Sequence, residues 1–287
     1  MSIGTQVLDF YRTLPFNSAD SPEVLAREIS ESNSIEAYGP LAALLKPNLR
    51  VLEIGCGVGR FASRMAYHYG ANVTAIDFNP EAIRQAQAAA TILGLAVEFQ
   101  VADLFAYSAE QPYDLVVSLG VLHHTHDCPG AVRLVCRDFV KPGGHVFIGL
   151  YHRYGRQPFL SHFQKLKEEG RTEDALFKEY KKMHRAIRDE EVMLLSWFRD
   201  QVCHPHETQH TQKEMTAILK EEGLDLVSSS INGFKPFDRA TDLDALEPGY
   251  MTLAQKRLAK GEYFPGFFVF LARKGVADIV RGARQAS

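Results

Sequence analysis

The chain is poor in cysteine, and none of its cysteines are spaced as a pair. Cys56, Cys128, Cys136 and Cys203 are scattered through 287 residues without a C-x-x-C unit. That excludes a disulfide framework built on close pairs and points to reduced thiols. The sequence also lacks an uninterrupted apolar run of about eighteen residues, the length a membrane-crossing helix requires. The opening segment MSIGTQVLDFYRTL has neither a basic stretch nor a long apolar run behind it, so no secretory leader and a cytoplasmic location are expected. Nor is there an excess of positive charge. Lys and Arg number 32 against 35 Asp and Glu, a formal net charge of -3, which leaves no footprint for non-specific nucleic-acid binding, although a local basic patch stays open. No internal repeat and no low-complexity tract is visible.

What is present is a substantial apolar fraction, 46%, enough for a sizeable core. Residues 1–46 read as helical. Val7, Phe10, Tyr11 and Leu14 recur at helical spacing, and Pro15 stops that run. A second helix is expected around Glu23–Glu31 and a short third one near Pro40. From Val51 onward the pattern becomes strand–helix alternation. Strands are expected at Val51–Ile54, Val73–Ile76, Val97–Val101, Leu115–Ser118 and Val146–Leu150, the last preceded by a Lys141-Pro142-Gly143-Gly144 turn. Between them, Phe61, Met65 and Tyr69 mark one helix face. Asn79-Pro80 starts a second helix, over Ile83, Ala86, Ala90 and Leu93. A further helix is expected over roughly 129–139. Such alternation predicts a doubly wound α/β fold: a seven-stranded, mostly parallel sheet with helices on both faces.

The rhythm breaks over 151–210, which carries charge and aromatics but no clear strand. Amphipathic helices are expected at Asp174–Arg188 and Glu190–Phe198. An insertion at this point lies at the carboxyl edge of the sheet, where ligands bind in open α/β folds, and reads as a helical lid. Thr211-Gln212-Lys213-Glu214 is a capping box that opens the next helix. Leu224–Ser228 and Phe267–Ala272 complete the sheet. The expected organisation is an N-terminal helical segment 1–46, a core 47–150, a lid 151–210, final core elements 211–274 and a tail 275–287.

The central motif is Val51-Leu52-Glu53-Ile54-Gly55-Cys56-Gly57-Val58-Gly59-Arg60, a strand entering a glycine turn and then a helix. Glycines there permit positive φ and close approach of a ligand to the backbone. Dinucleotide loops require G-x-G-x-x-G, and Arg60 stands where the third glycine belongs. The pattern E-x-G-x-G-x-G instead resembles motif I of class I S-adenosylmethionine (SAM)-dependent methyltransferases. Asp77 ends the second strand, Asp103 follows the third, and Ser118-Leu119-Gly120-Val121-Leu122-His123-His124 and Lys141-Pro142-Gly143-Gly144 follow in the family's order. The His123-His124 segment and the Pro-Gly-Gly turn further resemble the small-molecule branch, of ubiquinone/menaquinone C-methyltransferase type.

The resemblance implies SAM as cofactor. Its contacts are expected at Glu53, Gly55, Cys56, Gly57, Gly59, Asp77, Phe78, Asp103, Leu104, Ser118 and Leu119, with Asp77 on the ribose and Asp103 on the adenine amino group. It also implies in-line displacement at the sulfonium methyl, a step that needs alignment and exclusion of water. Candidates for a base are His123, His124, His206 and Glu207. The His204-Pro205-His206-Glu207-x-x-His210 cluster admits three readings: acceptor or base function, metal binding, or packing. No metal is assigned. Tyr151, Arg156 and His210 are candidate acceptor contacts, as is Tyr11, which with Tyr38 could face a sulfonium. His152 and Tyr154 leave the same strand. The expected partner is a small-molecule methyl acceptor, with no nucleic acid and no membrane span, and nothing specifies an oligomeric state. Alternative functions are an RNA or protein methyltransferase, an NAD-type oxidoreductase and a non-catalytic SAM-binding protein.

Overall fold

A computed structural model describes residues 3–12, 14–184, 191–235, 237 and 242–276. The expected helix ends at Asp174–Arg188 and Glu190–Phe198, and the tail, lie partly or wholly outside those residues. Helix α1 (Ile3–Arg12), α2 (Pro22–Glu31) and the short α3 (Gly39–Ala42) precede the first strand. Ser21 caps α2 through its side chain, and Pro22 sits at the first helical position, where its missing N–H is no loss. Then come β1 (Arg50–Ile54), α4 (Arg60–Tyr69), β2 (Asn72–Asp77), α5 (Pro80–Ile92), β3 (Glu98–Val101), β4 (Tyr113–Leu119), α6 (Cys128–Leu134) and β5 (Val140–Tyr151).

The sheet has seven strands. With β6 (Leu224–Ser229) and β7 (Phe267–Lys274) the order is β3-β2-β1-β4-β5-β7-β6. The first five strands are parallel to one another, and β7 runs antiparallel to both β5 and β6. Chain order reverses between β1 and β4, so a crevice opens at their carboxyl ends. Because successive strand residues face opposite sides, Val51, Leu115 and Val117 join the core beneath α4 and α5. Leu52, Ile54 and Val116 join the core on the α6 side. The Lys141–Gly144 turn is present as an outward loop within β5: Tyr113 pairs with Val140, yet Leu115 already pairs with His145.

The segment after β5 forms α7 (Arg153–Glu168), α8 (Glu173–Met183) and α9 (Glu191–Phe198), and α9 runs into a π-helical turn at Arg199–Cys203. These helices own a separate core of Phe159, Phe163, Leu176, Tyr180, Leu194 and Phe198. The capping box at Thr211 is formed and opens α10 (Gln212–Glu221). Two helices have no counterpart in the sequence reading, α7 and α11 (Leu243–Ala259). Each carries an interior proline, Pro158 and Pro248, which normally argues against a helix. The two pack on each other, and tertiary burial outweighs local propensity. No described helix is long and apolar enough to cross a membrane.

Candidate functional site

The glycine turn is tied to the neighbouring strand before any ligand is considered. Gly55 and Cys56 N–H groups both donate to the Ile76 carbonyl, at 2.8 and 3.1 Å. The Gly57 N–H donates to Asp77 Oδ2 at 2.8 Å, and Asn79 N–H donates to Asp77 Oδ1 at 2.9 Å. Burial raises the Asp77 pKa, and these two N–H groups pull it back. A carboxylate has about four lone-pair sites, so the two bonds leave each oxygen able to accept again. Gly55 has φ 71°, and a Cβ there would lie 2.3 Å from a Val121 methyl. Gly59 also has positive φ, but its missing Cβ makes room for Phe99 and Ala86. Its role is packing of the turn on β3 and α5. Arg60 is buried, pairs with Glu28, and donates to the Asn17 carbonyl at 2.9 Å.

A cleft of about 1010 Å³, open mouth included, lies over this turn. Of the expected cofactor residues, Gly55, Gly57, Asp77, Phe78, Asp103 and Leu104 line it. So do Tyr11 and His124. The other expected cofactor residues are not among those that line it. Glu53 is buried, takes the Ala62 N–H at the start of α4, and is pushed up to about 8 by desolvation. It thereby caps a helix whose own N-cap, Gly59, has no side chain. The Cys56 thiol is raised by burial. The Ser118 hydroxyl is spent on the Ile54 carbonyl at 3.2 Å. Leu119 packs towards Gly149.

The N-terminal segment covers one side of the cleft. Asn79 Nδ2 donates to the Tyr11 carbonyl at 3.1 Å, and Val7, Pro15 and Phe16 add apolar wall. On the other side stands Asp200, from the π turn. That turn is held by two cations of α7. Arg156 donates to the Gln201 carbonyl at 2.7 Å and Lys167 to the Val202 carbonyl at 2.6 Å. Asp200 Oδ1 accepts from the Tyr11 hydroxyl, and Oδ2 from the Tyr151 hydroxyl at 3.3 Å.

The histidine-rich loop runs extended, as Pro205 predicts. His210 N–H donates to the Tyr151 carbonyl at 2.9 Å, and its own carbonyl takes Arg153 N–H at 2.9 Å. The loop thus prolongs the sheet by one parallel bridge, His152 to His210. Its side chains go different ways. Glu207 receives two bonds from Arg156, at 3.0 and 2.6 Å, which hold its carboxyl below the usual range. Arg156 is fully buried, with its guanidinium 3.7 Å from the Tyr151 ring centre. Arg156 and Glu207 therefore satisfy each other, away from the cleft wall. Tyr151 lies beneath them, buried. His206 Nε2 meets the Thr125 carbonyl at 3.1 Å and His210 Nε2 meets Thr208 Oγ1 at 2.9 Å, also outside the cleft lining. His152 caps α7 by accepting Gly155 N–H. Its other nitrogen meets Glu247 at 2.8 Å, and Glu247 takes the N–H groups of Gln212 and Lys213 at the start of α10.

Partners assign the ring protons of the remaining histidines. His124 Nδ1 lies 2.8 Å from the His206 carbonyl. A carbonyl only accepts, so Nδ1 carries the proton and Nε2 the lone pair. His123 Nε2, at 3.1 Å, donates into that lone pair. His204 Nδ1 accepts the His206 N–H at 3.1 Å, which places its proton on Nε2. Burial lowers His124 to about 4 and His204 to about 3, so both rings are neutral near pH 7. Atoms of His124, Asp200 and His204 lie within 4.8 Å of one another. In this bonding pattern neither ring offers the free lone pair that a metal takes.

A model for a family described as methyltransferase domain matches residues 45–223, more than half of the chain. The chain belongs to this methyltransferase-domain family. It is 36% identical over 129 residues to ubiquinone biosynthesis O-methyltransferase of Ralstonia nicotianae, covering 44% of this chain and 51% of that protein. It is 33% identical over 137 residues to the protein of the same name from Xanthomonas campestris, covering 47% and 55%. The chain therefore spans about half the length of these curated relatives, and by name they act on oxygen, where the Pro-Gly-Gly resemblance pointed to carbon. Among solved structures, magnesium protoporphyrin IX methyltransferase of Synechocystis with bound SAH superposes with TM-score 0.55 at 15% identity, covering 96% of this chain and 100% of that one. PKMT2 of Rickettsia typhi in complex with AdoHcy superposes with TM-score 0.58 at 12% identity, covering 91% and 54%. These likenesses show that the methyltransferase-domain chain has their fold.

Asp200 escaped the sequence reading. Its signal was faint: one acid between the aromatic pair Trp197-Phe198 and Val202, a segment otherwise fit for burial. Phe16 gave none.

Proposed function

We propose that this chain transfers a methyl group from SAM to a small-molecule acceptor. The observation that carries this is the pair of strand-end acids over the glycine turn. Asp77 organises the turn through Gly57 and still presents lone pairs to the cleft, and Asp103 stands beside it at the end of the next strand. The cradle fits a nucleoside. A Cβ on Gly57 would approach the Phe16 carbonyl to 3.3 Å, so side-chain-free backbone faces the cleft. Asp77 takes the ribose hydroxyls. Asp103 Oδ1 is held by Phe105 N–H at 2.9 Å, which leaves Oδ2 for the adenine amino group. Phe78 and Leu104 supply apolar contact for the base.

When bound, SAM supplies an activated methyl on a sulfonium, a good leaving group. The protein then aligns the acceptor and excludes water. Val7, Pro15, Phe16 and Val121 do the excluding. Glu53, close beneath the turn and neutral near pH 7, avoids a tight anionic grip that would favour the charged ground state over the transition state. Calorimetric titration with S-adenosylhomocysteine tests the reading. Wild type is expected to bind, and Asp77→Ala to bind at least about tenfold more weakly, in line with loss of hydrogen bonds to a charged group. Equal affinity of the two proteins, or stabilisation by NAD and none by S-adenosylhomocysteine, would overturn it.

A further inference from the structure

Helix α11 carries apolar residues on two sides. Its inner side, packed on α7 and α10, buries Glu247, Tyr250 and Ala254. Leu246 and Leu253 lie outside that packing, 37% and 39% exposed. A surface helix usually keeps its apolar residues on one stripe, and a helix apolar on more than one side has a second neighbour. Gly249 sits between the two leucines and is also exposed, with nothing within 4 Å of a Cβ placed there. A glycine inside a helix weakens it. What it permits is close approach of another backbone.

The stripe ends in opposite charges. At about 100° per residue, Asp242, Leu246, Gly249, Leu253 and Lys260 fall within about 60° of one another. Lys256 and Arg257 flank the basic end. These signs suit the helix's own dipole. They also make the stripe complementary to its own reverse. Turned end for end on a second copy, Leu246 meets Leu253, Asp242 meets the Lys256–Lys260 end, and the two Gly249 residues meet near the axis. A twofold contact has this form, residue i on j and j on i. An acidic or basic partner would select a stripe of one sign, and this one carries both.

We infer that α11 docks antiparallel on α11 of a second copy of this chain, about a twofold axis near Gly249. Helix α11 lies beyond residues 45–223, which the family model matches, so this surface belongs to the chain's own extension. No residue of α11 lines the cleft, and both copies keep their cofactor sites. One pair of 17-residue helices covers less than the about 1,200 Å² of a stable interface. The dimer is therefore weak and forms with rising concentration.

Sedimentation equilibrium of the full chain, up to about 1 mM, tests the proposal. Wild type is expected to pass reversibly from monomer to dimer, and added sodium chloride to weaken the dimer by screening its end charges. Leu253→Lys is expected to lose at least about tenfold in dimer affinity, since the contact loses a buried leucine twice. It should keep the wild-type affinity for S-adenosylhomocysteine, which reports an intact fold. Helix axes about 8–10 Å apart bring facing Cα atoms within the about 7 Å that a disulfide spans. Under mild oxidation Gly249→Cys should therefore cross-link into a dimer faster than Gln255→Cys, whose position is exposed on another side of the helix. That comparison decides the matter even if Leu253→Lys folds poorly. A monomer at every concentration, a dimer unweakened by salt or by Leu253→Lys, or equal cross-linking of the two cysteine variants would overturn the proposal.

Discussion

Glu53 shows how much of this site is decided by a single side chain's surroundings. It sits at the end of β1 in the glycine motif, yet it is buried and takes the Ala62 N–H at the start of α4. Its pKa rises from 4.5 to about 8, so the folded protein holds that proton more tightly than the unfolded chain does. Its contribution to stability is complete below about pH 4.5 and is lost as pH rises towards about 8. At 1.36 kcal/mol per unit the full swing is on the order of 4–5 kcal/mol. Glu53→Gln should flatten that decline, and urea unfolding between about pH 5 and about pH 8.5 measures it. An unchanged slope in the variant would mean that another group carries it. Glu207 makes the complementary point. Among histidines in the sequence it resembles a catalytic acid, but Arg156 holds it ionised and engaged.

At the scale of elements, the π turn at Arg199–Cys203 is the piece that joins the helices after β5 to the cleft. A π turn leaves carbonyls poorly placed for helical bonding, and here Arg156 and Lys167 reach across from α7 to take two of them. Arg156→Ala would strand Glu207 buried without its cation. It should destabilise the fold by about 3–5 kcal/mol, as loss of one partner of a buried pair does. Equilibrium unfolding checks this, and a loss under about 1 kcal/mol would class the pair with exposed bridges. Thr211→Ala removes half of a capping box and should cost about 1 kcal/mol. Capping signals were legible because they are local in sequence. Helix α11 was not, because Pro248 and weak periodicity hide it and its packing partner, α7, lies far back along the chain.

The whole molecule closes over its cleft from two directions, α1 before the sheet and the π turn after α9, and the two meet where Tyr11 donates to Asp200. A ligand touching both should stiffen both. S-adenosylhomocysteine at a hundredfold excess over its Kd should add about 2.7 kcal/mol, roughly 5 °C in Tm. Amide exchange should slow in 3–12 and 191–203 as well as in the glycine turn. Protection confined to the turn would show that the two covers act independently of the cofactor.

Residue order alone was enough for the strand, the glycine turn and the helix at 51–69, the acids at the ends of β2 and β3, and the place where the α/β rhythm breaks. Each is a local pattern whose physical cause lies within a few residues. The inner end of the cleft was decided only by folding. Tyr11 and Asp200 are 189 positions apart. The proton positions on His123, His124 and His204 follow from partners as distant as His206. Burial, tautomer and charge depend on what surrounds a group in space, and residue order does not carry that.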